Sequence, residues 1–213
     1  MKNLLLSQIE GLFPISKILL VYYGGSIAYG LQDGESDEDI TVVLDNFSGN
    51  IHLNLDKVDL FVFSRERFIQ RQHFDESITS YHRASADNLM SIDSNLIYLD
   101  TSFIDELESI KYCDSKEFML KHLTAQIDYG KMRFEISQNL KSHYHIFRMR
   151  GMVDNFDKTG HYNLTVPEPW YSKMMDYKLN WDNEIGQSYL TELEAELQYL
   201  IEYRDRMMND ELG

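Results

Sequence analysis

Three carboxylates and a glycine turn are the residues of this chain with chemistry to do. Asp37 and Asp39 stand one residue apart, just before the β-branched run Ile40 to Leu44. Asp59 sits inside the apolar run Val58-Asp59-Leu60-Phe61-Val62-Phe63, and Gly24-Gly25-Ser26 closes the earlier run from Lys17 to Tyr23. Alternation along a strand puts Asp37 and Asp39 on one face. Carboxylates placed so repel each other unless a cation sits between them or they share a proton. Hard oxygen donors of this kind suit Mg²⁺ or Mn²⁺, which take waters and substrate phosphates as their other ligands. A charge at Asp59 is costly on a core face without a partner. If its strand lies beside the one that follows Asp39, three carboxylates around two metals would activate an attacking hydroxyl and stabilise a leaving pyrophosphate, with Asp59 as general base. Gly24 and Gly25 let backbone N–H groups approach a phosphate, and Ser26 adds a hydroxyl donor. Together these residues point to nucleoside triphosphate chemistry. Taken singly they have plainer readings: a strand-to-helix turn, a solvated acidic loop with Asp33, Glu35 and Glu38, and an edge-strand Asp facing water.

The elements that must position them follow from the pattern of apolar residues. Leu5, Ile9 and Leu12 have helical spacing, so a first helix is expected over Leu4 to Phe13, ended by Pro14. Strands are expected at Lys17 to Tyr23, Ile40 to Leu44 and Val58 to Phe63, with turns at Ser48-Gly49-Asn50 and Asn54 to Asp56. Beyond Ser64 the pattern turns helical, over 64–72, 75–92, 101–110, 115–150 and 187–208. Ser115 reads as an N-cap, Gly151 or Gly160 as the end of the long helical stretch, and Leu164 to Trp170 as an ordered loop. The fold class is therefore α+β: a small mixed-sheet head over residues 1–72, followed by a helical body over 73–213. With no Gly-, Ser- or Pro-rich linker between them, the two are expected to pack as one unit.

Composition narrows the function classes. The chain has 213 residues, is 43% hydrophobic and carries a formal net charge of −15. Such a surface repels polyanions unless a local basic patch overrides it, so stable coating of DNA is not expected. Cys113 is the sole cysteine, which rules out an intramolecular disulfide and a cysteine-rich zinc site. The strongest apolar segment, Ile18 to Tyr23, is far too short to span a bilayer, and a reduced cytoplasmic setting without membrane partners is the expectation.

Gly24-Gly25-Ser26, Asp37-x-Asp39 and the later strand Asp59 resemble the signature of the DNA polymerase beta-like nucleotidyltransferase superfamily. The fuller string Gly25-Ser26-x-Ala28-Tyr29-Gly30 with Ser36-Asp37-x-Asp39 is similar to a narrower group, the predicted nucleotidyltransferases of bacteria and phages, some encoded beside RNA ligases. Outside the signature, Asn88-Leu89-Met90 through Leu96-Ile97-Tyr98-Leu99-Asp100 looks like a helical segment of that group. Lys141-Ser142-His143-Tyr144-His145-Ile146-Phe147-Arg148 resembles its later helix, although Met149-Arg150 stands where two apolar residues are expected. The resemblance implies a polymerase beta-like head, with Tyr29 joining the nucleotide-binding residues. The helix also has a claim of its own. Lys141, His145 and Arg148 are spaced four and three apart, on one helical face, in a locally basic stretch. They could clamp the triphosphate, or they could be solvated or paired with Glu192, Glu194 and Glu196.

The leading expectation is a metal-dependent nucleotidyltransferase that moves an NMP from an NTP to an acceptor hydroxyl. An RNA end, a small molecule and a protein all remain open as acceptors. A non-catalytic, antitoxin-like module that keeps the fold, or a nucleotide sensor, is the alternative.

Overall fold

The computed structural model describes residues 2–28, 30, 37–72, 95–111, 115–132, 140–161 and 166–210. The described residues divide into two compact units, those between 2 and 111 forming the first and those between 115 and 210 the second.

The first unit is built on a five-stranded mixed sheet. Its described elements run α1 (Lys2–Leu12), β1 (Lys17–Tyr23), a short helix α2 (Gly25–Ala28), β2 (Glu38–Asp45), β3 (Asn50–Leu55), β4 (Val58–Ser64), α3 (Arg65–Gln72), β5 (Leu96–Leu99), a 3₁₀ turn (Thr101–Phe103) and α4 (Ile104–Lys111). The strands lie in the order β3-β4-β2-β1-β5. β1 and β2 are the central antiparallel pair, and both read as continuous apolar runs because both of their faces are covered. On one face Ile18, Val21, Ile40, Val42, Leu60 and Val62 pack with Ile9 of α1. On the other, Leu20, Tyr22, Val43 and Phe63 pack with Phe68 of α3, Phe103 and Leu107. The Ser64 hydroxyl accepts from the Arg67 N–H at 3.2 Å and caps α3, and Arg65 Nε donates to Glu106 of α4 at 2.6 Å.

Two strands depart from the sequence expectation. Turns were expected at Ser48-Gly49-Asn50 and Asn54 to Asp56 and no element between them, yet Asn50–Leu55 is an edge strand antiparallel to β4, and Asp56-Lys57 makes the hairpin turn, with Asp56 at φ 60°. Its alternation of Asn50, His52 and Asn54 with Ile51, Leu53 and Leu55 is a strand period, but its polar half looks like loop composition. Leu96–Leu99, expected as part of a helical segment, pairs antiparallel with β1 as the opposite edge of the sheet. The sheet thus takes its fifth strand from beyond residue 72, where the head was expected to end.

Described elements of the second unit are helical: α5 (Ser115–Met132), a 3₁₀ turn (Leu140–His143), α6 (Tyr144–Thr159), α7 (Trp170–Asn180), α8 (Glu184–Ser188) and α9 (Leu190–Asp210). Phe147, Met174, Tyr177 and Leu193 are fully buried in its core. The stretch expected as one helical region over 115–150 is divided by the 3₁₀ turn, and α6 runs on to Gly160. Gly160, at φ 67°, closes α6 by donating its N–H to the Phe156 carbonyl at 2.7 Å. Gly151 serves packing instead: a Cβ there would lie 2.7 Å from Val166 Cγ1 and 3.0 Å from Trp170 Cβ. Arg150 takes an expected apolar position because its guanidinium stacks 3.9 Å from the Tyr199 ring centroid and 4.9 Å from that of Trp170, while pairing with Asp154 and Glu196. Trp170 is buried and donates to Asp154 at 2.6 Å, so its role is packing. Overpacking at Gly151 should be costly: Gly151→Ala is expected to lose about 1–3 kcal/mol, read as a lower midpoint in urea unfolding, with Gly151→Val losing more.

Candidate functional site

Topology brings the sequence-distant residues of the first unit to one end of the sheet. β2 and β4 are parallel and in register, so Asp39 lies directly opposite Asp59 and both side chains leave the same face. β1 runs antiparallel to β2, pairing Tyr23 with Ile40, so β1 ends where β2 begins. The ladder continues one step further, with the Gly24 N–H donating to the Asp39 carbonyl at 2.8 Å. Gly24 therefore closes the sheet, and its N–H is not turned toward a ligand. The N–H groups of Gly25 and Ser26 start α2, where a helix leaves its first donors without partners inside the helix.

Gly25 is required here on two counts. Its φ is +52°, and a Cβ built on it would fall 1.6 Å from Asp39 Oδ2. The Asp39 carboxylate thus occupies the space a side chain would fill, which sets turn and carboxylate against each other with no side chain between. Tyr29 and Ser36 lie outside the described residues, as does Asn88-Leu89-Met90.

The electrostatics follow from this crowding. Burial pushes the Asp39 carboxyl up to about 6; the nearby Asp59 and Asp37 charges push the same way, and His52 opposes them. Asp37, just before β2, is exposed. Asp59 has two partners on the neighbouring edge strand. His52 Nε2 lies 2.8 Å from Asp59 Oδ1, and Asn54 Nδ2 donates to the same oxygen at 3.0 Å. The His52 ring stacks on Phe61, with centroids 4.5 Å apart and planes 7° from parallel. His52 and Asn54 were not expected at this site because their strand went unrecognised: Asn54 was read as part of a turn and His52 lay in a stretch given no element. The signal was present in the alternation Asn50-x-His52-x-Asn54 beside a strand that carries Asp59.

A divalent cation suits the chemistry of this donor set. Asp39 and Asp59 offer hard oxygens from one face, and their mutual repulsion is what such an ion would relieve. Among the described residues no three His, Cys, Asp or Glu side chains are grouped as they would be around a bound metal ion.

The remaining expected residues belong to the second unit. Lys141 is exposed on the 3₁₀ turn, His145 is half-buried in the first turn of α6, and Arg148 is 1% exposed within that unit's core. The change from 3₁₀ to α-helix between Lys141 and His145 breaks the single helical face that their spacing implied. Burial pushes the neighbouring His143 imidazole down to about 4. Arg65, at the start of α3, is paired with Glu106. No helix among the described residues is long and apolar enough to cross a membrane.

No protein-family model matches the chain, and no curated protein matches it.

Two expectations follow. At pH 7 Asp39→Asn should stabilise the fold by about 1–2 kcal/mol, after discount for partial exposure. The sign is fixed by a carboxyl raised in the folded state, which destabilises while it is ionised. The advantage of Asn should therefore shrink as pH falls through about 6 and vanish near the ordinary carboxylate value of about 4; urea unfolding across that range measures it. Gly25→Ala should cost at least about 1–2 kcal/mol from the left-handed backbone alone, and part of the loss should return when Asp39 is also cut back to Gly.

Proposed function

We propose that the first unit is the head of a nucleotidyltransferase, moving an NMP from an NTP to an acceptor hydroxyl with release of pyrophosphate. The observation that carries this reading is the register of β2 and β4, which sets Asp39 beside Asp59 against the Gly25 turn. The same residues carry the resemblance to polymerase beta-like nucleotidyltransferases.

In this reading Asp39 and Asp59, with Asp37 beside them, hold Mg²⁺ or Mn²⁺. The bound cation supplies charge neutralisation on the phosphates and a lowered pKa for a coordinated hydroxyl. Gly25 and Ser26 present backbone N–H groups and a hydroxyl to the β- and γ-phosphates. Asp59 orients the acceptor hydroxyl and takes its proton as the oxygen attacks the α-phosphorus. The bond from the α-phosphorus to the bridging oxygen breaks, and pyrophosphate carries the electron pair away. Lys141, His145 and Arg148, expected from their spacing and from the resemblance, belong to the second unit, and this reading of the first unit is made without them. The net charge of −15 favours a small molecule or a protein over a long polyanion as acceptor.

Each labelled NTP, incubated with Mg²⁺ and candidate acceptors, should yield labelled product and pyrophosphate. Asp39→Ala and Asp59→Ala should each reduce transfer by about 10²–10⁴-fold while remaining folded by circular dichroism. Undiminished transfer by the Asp39→Ala/Asp59→Ala protein would exclude this site.

A further inference from the structure

The geometry points to His52, seconded by Asn54, as the positioning residue for Asp59. This inference rests on the nucleotidyltransferase reading of the same carboxylates and adds to it residues that neither the signature nor the spacing contains.

A carboxylate on a strand can swing about its side-chain torsions, and one repelled by a neighbour will turn away from it. Asp59 faces Asp39 across the β2–β4 pair, so repulsion alone would drive its oxygens apart from the place where a shared cation would bind. β3 prevents this. Two donors from one edge strand, His52 Nε2 at 2.8 Å and Asn54 Nδ2 at 3.0 Å, converge on Oδ1. Oδ2 stays outside both bonds. One oxygen is thus fixed toward β3, which leaves the other for the site.

His52 can hold that position because its own ring is held. It stands opposite Phe61 in the β3–β4 register and lies flat on that ring. Asn54 stands opposite Asp59 itself. The hairpin turn at Asp56-Lys57 fixes both pairings, since a slip of one residue would carry His52 and Asn54 to the other face. Either Nε2-protonated form of the imidazole makes the bond, so the positioning does not require a charged ring. Partners that orient a ligating carboxylate typically matter by about 10–100-fold in metal affinity or activity.

The test uses the full chain and two readouts. Mn²⁺ binding is followed by electron paramagnetic resonance without nucleotide, and NMP transfer is followed against Mg²⁺ and NTP concentration. His52→Ala should weaken Mn²⁺ binding by about 10-fold and raise the Mg²⁺ requirement for transfer equally, with KM for NTP at saturating Mg²⁺ unchanged. His52→Gln, which keeps a donor, should recover most of both, and Asn54→Ala should show a smaller loss in the same direction. Wild-type affinity in folded His52→Ala would overturn the inference, as would a His52→Gln protein no better than His52→Ala. Should wild type itself show neither transfer nor Mn²⁺ binding sensitive to Asp39→Ala, the nucleotidyltransferase reading fails and the positioning role falls with it. Transfer that is intact in wild type and unaltered in His52→Ala refutes only the positioning role.

Discussion

The apolar register shared by β2 and β4 is the constraint on which the rest of the first unit depends, and it forces two carboxylates side by side. Asp39 and Asp59 do not choose this arrangement; the apolar residues beyond them impose it. Ile40 pairs with Leu60 and Val42 with Val62, all fully or almost fully buried against the α1 side. Burial of each such side chain is worth roughly 1.5–3 kcal/mol, more than the repulsion between two partly solvated charges can undo. A slip of one residue would put the apolar set on the wrong face, so the core fixes the register and the register fixes the carboxylates. The raised Asp39 carboxyl is the visible cost of that imposition. The proposed function takes this cost, tolerated at one end of the sheet, as the mark of its site.

The glycine turn answers to the same constraint. Asp39 needs room on the side facing the end of β1, and only a residue without Cβ leaves it. Gly24 and Gly25, which read alike in the sequence, have separate duties. Gly24 extends the sheet by donating to the Asp39 carbonyl, and Gly25 clears space for the Asp39 side chain. In the proposed reading, anion recognition by the turn therefore starts at Gly25 and Ser26.

What the sequence makes legible is whatever a single strong period encodes. Lys17–Tyr23 and Val58–Ser64 stand within a residue of expectation, because apolar runs ending at Gly24 or followed by charged helix admit few alternatives. Asp59 beside Asp39 was legible only as a condition, since pairing between strands is a tertiary fact that no local period contains. β3 was hidden by its polar half, which is polar because an edge strand has one side in water and because His52 and Asn54 serve Asp59. β5 was hidden by its brevity: four apolar residues fit a helix as well as a strand until β1 supplies a partner. In the second unit, Arg150 looked like a departure from an apolar pattern. Stacking on Tyr199 and Trp170 lets a cation do an apolar residue's packing.

Charge is the remaining argument about what reaches this site. A chain of net charge −15 repels a nucleoside triphosphate, and a sheet end carrying Asp37, Asp39 and Asp59 repels it more strongly at short range. Arg65, Arg150, Lys173 and Arg204 are engaged by carboxylates within their own units, so their charges are already answered locally. In the proposed reading, an anion comes to the carboxylate pair in company with a cation that both sides bind. Protonation of Asp39 and cation binding are then two ways of relieving one repulsion, and they compete. If the proposed function holds, such electrostatics favour metal-bound phosphate over free phosphate before any contact with the base or sugar is made.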